Sequence, residues 1–303
     1  MCEPMVFIII LNYKSTQDAI ELFMELQIQN YNNFEIMVID NNSPDNSKEI
    51  LKKRIPIENL ILNNKNLGYA GGNNIGIRKA IEEGADYVWV LNPDIRVEKD
   101  TLKTLINIIS NDNQIAAIGP RICYRIDKEK IFSDGGIIDF KSGIATGHKN
   151  NGLNRKQVNQ NCINTVDYVN GSCFLLNLKT LADIGYIRED FFLYFEETEW
   201  CIRAKRHGWK LAVTTETNAF HLTSNHGVFF YFYMSRNRIW LAKIINQFFW
   251  NTLLSELKEL QDLLMKVMYC FIHRKKDYLF RYFFAKCLGL FFGVVIFKRG
   301  VEK

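Results

Sequence analysis

The chain opens its ordered pattern with an unbroken apolar run, Val6-Phe7-Ile8-Ile9-Ile10-Leu11. A continuous run, rather than an alternating one, predicts a strand buried on both faces. Residues 16–29 then place Ala19, Ile20, Leu22, Phe23 and Leu26 at helical spacing, with Ser15 or Thr16 available as a cap. A second buried strand is predicted over 35–40, a weak helix over 46–53, a short strand over 60–62, a helix entered through glycines over 71–84, and a fourth strand over 87–91. This βαβαβ order predicts a mostly parallel sheet with right-handed crossovers. Residues 100–110 read as a helix and 116–119 as a strand. The Gly-, Asn- and Lys-rich stretch 133–161 reads as a loop or a small hairpin excursion. Strand character returns over 166–176 around Gly171-Ser172. A helix over 190–207 carries acids near its start and Arg203, Lys205 and Arg206 near its end, the polarity that suits a helix dipole. From Val228 the chain is dense in aromatics, and three helices are predicted at about 228–248, 252–272 and 277–297.

Composition narrows the class. The 303 residues are 48% hydrophobic and 23% charged, which is globular and not disordered. The length allows one large domain with an appendage, and the pattern divides at 1–226 and 227–303. A net charge of +5 argues against a nucleic-acid binder and suits anionic ligands or an anionic membrane. Seven cysteines, an odd number with no C-x-x-C pair, argue against a zinc site or a disulfide framework. Reduced thiols in a cytoplasmic protein are expected. The run 6–11 is too short and lacks the basic flank of a signal peptide. The nearest approach to a spanning helix, 282–297, is interrupted by Lys286.

Three polar clusters follow strands directly: Asn12-Tyr13, Asp40-Asn41-Asn42-Ser43 and Asn92-Pro93-Asp94. In an open parallel sheet these turns share the carboxyl edge, where ligands bind. Together with Asn66-Leu67-Gly68-Tyr69-Ala70-Gly71-Gly72-Asn73-Asn74 and Phe192-Leu193-Tyr194-Phe195-Glu196-Glu197, they resemble family 2 glycosyltransferases. The likeness is greatest to the rhamnosyltransferase-type members that build bacterial surface polysaccharides. It covers about residues 5–240 in the expected order. The resemblance implies a GT-A fold (Rossmann-like, a mostly parallel central sheet flanked by helices, here with a helical C-terminal extension). It also implies a nucleotide-diphosphate sugar donor, a divalent cation (Mg²⁺ or Mn²⁺) and inversion at the anomeric carbon.

The resemblance assigns roles residue by residue. Asp40 and Asn41 meet the base and ribose of the donor, as an exposed carboxylate and amide can; the other reading is a plain Asx turn. Gly68, Gly71 and the helix start they open permit close backbone approach. Asn73 lies near the nucleoside, while Asn74 holds the turn. Asn12, Asn66, Asn92 and Arg236 complete the donor side, and Arg203 reads as helix-surface charge. Asn92-Pro93-Asp94 stands where the family has D-x-D, so Asp94 is the single carboxylate expected at the metal. His221 is a further metal ligand, with His226 as competitor. Gly171, Ser172 and Glu196 fall on the acceptor side. Glu197 is the expected base, one methylene longer than the family's usual Asp.

The tail supports two readings. A basic-aromatic helix can lie in a membrane interface, which suits a lipid-linked saccharide acceptor at the inner leaflet. It can equally pack on the catalytic part or on a homodimer partner. Two rival functions remain at this level. A sugar-phosphate nucleotidyltransferase would need a Gly-rich basic loop where this chain has Asn12-Tyr13-Lys14-Ser15. A catalytically degenerate, nucleotide-binding scaffold would explain Asn92 and Glu197.

Overall fold

The computed structural model describes residues 3–223, 227–273 and 279–297. His226, the basic stretch 274–276, Lys298 and Arg299 lie outside the described residues. In chain order the elements are β1 (Val6–Asn12), α1 (Thr16–Leu26), β2 (Phe34–Asp40), α2 (Ser47–Arg54), β3 (Leu60–Leu62), α3 (Gly68–Glu82) and β4 (Tyr87–Leu91). There follow β5 (Ile95–Val97), α4 (Thr101–Asn111), β6 (Ile115–Tyr124), β7 (Ile131–Ser133), β8 (Gly136–Asp139), β9 (Ala145–His148), β10 (Ile163–Thr165), β11 (Cys173–Asn177), α5 (Leu181–Ile184) and α6 (Glu196–Arg206). The chain closes with β12 (Lys210–His221), α7 (Val228–Ile244), α8 (Phe249–Ile272) and α9 (Leu279–Val295).

Two compact units result. The first takes residues 3–137, 148–192 and 196–223; the second takes 138–147, 193–195 and the described residues from 227 onward. The first unit is built on a ten-stranded sheet in the order β10-β12-β6-β11-β4-β1-β2-β3, with β5 paired to β12 and β7 to β6. Strand β1 lies parallel between β2 and β4, so Asn12 pairs with Asp40 and Ile10 with Leu91. The parallel register brings the ends of β1, β2 and β4 to one edge, as the alternation of elements predicts. The apolar runs are buried on both faces: Val6, Ile8, Ile10, Val38, Trp89 and Leu91 join Leu22 and Leu26 of α1 and Leu102 and Leu105 of α4 in one core, and on the other face Gly76 of α3 lies against Ile9 and Ile39.

The structure corrects the sequence reading at three places. The helix expected from 190 begins at Glu196, because Phe192, Tyr194 and Phe195 take φ of 64°, 69° and 72°, which a right-handed helix excludes. The strand expected over 166–176 shortens to Cys173–Asn177, since the Asn170 side chain accepts from both the backbone N and Oγ of Ser172 and turns the chain there. Strand β12, 12 residues long, is not foreseen at all. The segment 133–161 contains the two-stranded β8–β9 sheet, a hairpin.

The six described cysteines are free thiols, and Cys123, Cys173 and Cys201 are buried. Burial pushes the Cys123 thiol up to about 11 and Cys173 up to about 12, and raises Cys201 further still.

In the second unit α7, α8 and α9 pack together. Asn237 donates from Nδ2 to the carbonyls of Leu193 and Tyr194, 2.7 Å each, fixing the segment 193–195. Arg238, Glu256 and Lys286 form a buried ion-pair network with half-exposed Glu259. On the outer faces Trp250, Leu254, Phe271, Phe280, Phe284 and Phe291 stay exposed.

Candidate active site

The carboxyl edge of the first unit is organised by side chains that grip its loops. Asn12 donates from Nδ2 to Asp40 Oδ1 at 2.8 Å, and its own Oδ1 accepts from Ser15 N. Asp40 also accepts from Ser43 N and Ser43 Oγ. Asn41 donates to Asn66 Oδ1 and to the Gly68 carbonyl, while its Oδ1 accepts from Asn63 Nδ2 and Leu67 N. The expectation of an exposed carboxylate and amide is therefore corrected. Asp40 is fully buried and Asn41 nearly so, because turn amides and neighbouring side chains claim their oxygens. What these residues set is the shape of the edge.

Helix α3 enters that edge through Gly68, at φ +73°, where a Cβ would stand 2.2 Å from the Phe192 carbonyl oxygen. Only glycine fits both the left-handed backbone and the approach. Tyr69 N donates to the same carbonyl at 2.7 Å. A Cβ on Gly71 would meet Leu67, and one on Gly72 would meet Leu11, so these glycines serve close packing. Asn73 is fully buried; its Nδ2 donates to Tyr69 O and its Oδ1 has no partner. Asn74 exchanges bonds with the Ile187 backbone and donates to Glu189, the turn-holding part expected of it.

Asp94 and His221 come together although 127 positions apart in the chain, with Asp94 Oδ2 3.4 Å from His221 Nε2. Their meeting is a consequence of strand pairing: β5 runs antiparallel to β12 and sets His221 opposite Ile95, the residue after Asp94. Both side chains keep some solvent access, 28% and 16%. Among the described residues no group of three or more His, Cys, Asp or Glu forms a ready cage. Two protein ligands with an open side fit a hard divalent cation whose remaining positions are filled by phosphates and water, and the imidazole favours Mn²⁺. Asn92 is tied in by its backbone, its N donating to the Ser172 carbonyl at 3.0 Å.

That bond leads to the acidic cluster. Gly171, next to Ser172, accepts from Tyr69 Oη at 2.5 Å. A Cβ on Gly171 would lie 2.9 Å from Tyr69 Oη and 3.4 Å from Glu197 Cγ. Glu197 thus stands at the first turn of α6 beside Tyr69 and Gly171. Burial raises its carboxyl above the ordinary range, against the lowering effect of the Glu197 and Thr198 amides at the helix start. Glu196 and Glu199 are both buried on this turn, and Glu199 pairs with Arg203 at 2.8 Å. Arg203 spends its other donors on the carbonyls of Ile184 and Tyr186, so it acts in the fold and not on a phosphate. Arg236, in the second unit, sits over the rings of Trp240 and Tyr233, 4.2 and 4.7 Å from their centroids, and donates to Asn237.

Sequence reasoning missed Tyr69, Asn170, Arg96 and the pair Phe132–His148. Tyr69 lay inside a recognised motif but was given no role of its own. Phe132 packs against both His148 and His221, at 4.7 and 5.6 Å between ring centroids, which no local pattern signals.

With the geometry in place, comparison with known proteins is decisive. Residues 6–185 match Glycosyl transferase family 2. The chain belongs to that family. Among curated relatives, the family 2 chain is 31% identical over 217 residues to the low-salt glycan biosynthesis hexosyltransferase Agl10 of Haloferax volcanii, covering 71% of this chain and 66% of that one. It is 28% identical over 209 residues to the dTDP-rhamnosyl transferase RfbF of Shigella flexneri, covering 68% and 65%. The chain therefore spans just under two thirds of the length of these relatives. Among solved structures, the mannosyltransferase PcManGT of Pyrobaculum calidifontis, in complex with GDP-Man and Mn²⁺, superposes with a TM-score of 0.60 at 12% identity over 96% of this chain and 88% of that one. GalNAc-T7 with UDP, GalNAc and Mn²⁺ gives 0.63 at 16% identity over 79% and 48%. The GT-A-like fold is shared.

Proposed function

We propose that this family 2 chain transfers a hexosyl residue, rhamnose being one candidate, from a nucleotide-diphosphate sugar to a saccharide hydroxyl with inversion. The observation that supports this most is the juxtaposition at one sheet edge: Glu197 beside Gly171 and Tyr69, linked through Ser172 to the turn that carries Asp94, with His221 against it. Glu197 accepts the proton of the incoming hydroxyl as the new glycosidic bond forms, and burial, by raising its pKa, makes it a stronger base than a solvated carboxylate. Asp94 and His221 would hold the divalent cation, which when bound neutralises charge on the nucleoside-diphosphate leaving group. The buried grip of Asn12, Asp40 and Asn41 shapes the donor side, and the unpartnered Oδ1 of Asn73 is an acceptor waiting there.

Glu197→Gln is expected to lower transfer about a thousandfold, the usual scale of a lost general base. Thermal shift with UDP, GDP and dTDP in Mn²⁺ should show nucleotide binding unchanged in that variant. Wild-type transfer rates in Glu197→Gln would remove the base assignment, while nucleotide binding with no transfer or donor hydrolysis by the wild-type chain would remove the transferase reading and favour the scaffold.

The acceptor is read as lipid-linked, with the second unit resting on an anionic membrane surface. None of the described helices is long and apolar enough to cross a membrane. Yet α8, 24 residues long, exposes Trp250, Leu254, Met265, Met268 and Phe271. Residues 227–303 hold 13 basic and 5 acidic side chains, so the positive charge of the chain is concentrated here. An apolar face in a basic unit has the composition of an interfacial segment.

A further inference from the structure

The second unit contains a cavity of about 380 Å³, in the size range of small-ligand sites. We propose that it is a binding subsite for an uncharged, hydroxyl-rich ligand, the saccharide body of the acceptor; the choice of acceptor rests on the transferase reading above. Its walls combine Phe195, Phe230 and Tyr231 with three cations (Arg238, Lys266, Lys286) and three carboxylates (Glu256, Glu259, Asp262). The lining is therefore neutral as a whole.

Donor counting decides which ligand such a wall suits. The five N–H groups of Arg238 are all used, on the carbonyls of Ser142 and Gly143, on Ser255 Oγ, and on Glu256 and Glu259. The three of Lys286 are used on Ser235 Oγ, Glu256 and Glu259, at 2.7 to 3.0 Å. Neither cation has a donor left for a phosphate. The carboxylates are less fully occupied. Each oxygen of half-exposed Glu259 accepts a single bond and keeps a lone pair, and Asp262 stands exposed at the rim. The open capacity is thus mixed, with carboxylate oxygens of Glu259 and Asp262 free to accept and exposed Lys266 free to donate, and hydroxyl groups, which both donate and accept, satisfy it where phosphate oxygens only accept.

A bare cation fits no better, since Arg238 and Lys286 already neutralise the two inner carboxylates. The aromatic part offers flat apolar surface to the C–H face of a pyranose. Tyr231 is held for this by stacking on Tyr282, 4.8 Å between centroids at 16°. A buried ion-pair network is costly where only packing is needed. Here it fixes the loop Ser142–Gly143 that carries Ile144, Ala145 and Thr146 into the wall, and so keeps the cavity shaped before a ligand arrives.

The test uses the full chain and saturation-transfer NMR with methyl glycosides of rhamnose, mannose, glucose and galactose. At least one glycoside should give signal with wild type, and that signal should fall at least fivefold in Tyr231→Ala and in Asp262→Asn. The second variant changes only an exposed rim group and cannot be dismissed as misfolded. Nucleoside-diphosphate binding with Mn²⁺, followed in parallel, should be unchanged in both. No glycoside signal, a signal indifferent to both variants, or displacement by inorganic phosphate overturns the subsite. Loss of nucleotide binding in wild type with a variant-sensitive glycoside signal would instead overturn the transferase reading and leave the subsite standing.

Discussion

Gly171 is where the side chains of Tyr69 and Glu197 crowd the same space. An added methyl would press on Tyr69 Oη at 2.9 Å and on Glu197 Cγ at 3.4 Å. Tyr69 is pinned to the Gly171 carbonyl and cannot swing away freely. Gly171→Ala is therefore expected to cost about 1–2 kcal/mol in stability, as mild overpacking does. With Glu197 as the proposed base, it should cost more in rate, about a hundredfold in kcat, through displacement of that carboxylate. Steady-state kinetics beside a chemical melt will separate the two. Glu197 itself carries a pH signature. A carboxyl whose pKa rises on folding adds stability while it is protonated, below its unfolded value of about 4.5, and loses that contribution as pH rises through the folded value. Glu197→Gln, which cannot ionise, should accordingly melt higher than wild type at pH 8, with the gap closing toward pH 4. At this scale the motif residues were legible because their types are chemically marked. Tyr69 was not, because a tyrosine on a helix gives the same signal whether it packs or holds a base in place.

The turn that carries Asp94 is braced by an element far from it in sequence. Arg96 donates to the carbonyls of Pro93 and Ile95 and reaches Asp18, Glu21 and Glu25 along α1. Replacing it removes two hydrogen bonds from the turn and a charge anchor from the helix. Because the α1 carboxylates are a third to half exposed, the loss in Arg96→Met should be about 2 kcal/mol. The Mn²⁺ concentration for half-maximal activity should rise with it. A metal titration in which Arg96→Met matches wild type would show that Asp94 needs no such brace. Parallel strands β1 to β4 could be read from unbroken apolar runs. Strand β12 could not, although Leu211 to Thr217 is rich in β-branched residues. It follows a helix that is itself locally unambiguous, and its pairing with β6 and β5 spans about a hundred residues, a range no window of sequence covers. Without β12 the approach of His221 to Asp94 had no structural basis in the sequence.

Over the whole molecule, charge and apolar surface are distributed unequally. The tail is strongly basic and its helices expose rings such as Trp250, Phe271 and Phe280, whereas the first unit, which exposes side chains such as Ile57 and Ile126, is organised on a large buried core. Sedimentation with vesicles should follow that asymmetry. Binding is expected to vesicles containing anionic lipid, to weaken several-fold between low and physiological salt, and to be lost in a chain with Trp250, Phe280 and Phe284 all changed to Ser. Equal recovery with neutral vesicles would point to apolar insertion alone. The buried thiols give this molecule one more property. Cys173 lies two residues beyond Gly171 and Cys201 four beyond Glu197, and burial keeps both protonated in the closed fold. An alkylating reagent is expected to reach them when the strand and helix beside Glu197 come apart. The protein thus carries a built-in clock for the opening of the edge beside Glu197, read by mass spectrometry as the rate at which these two native thiols are alkylated.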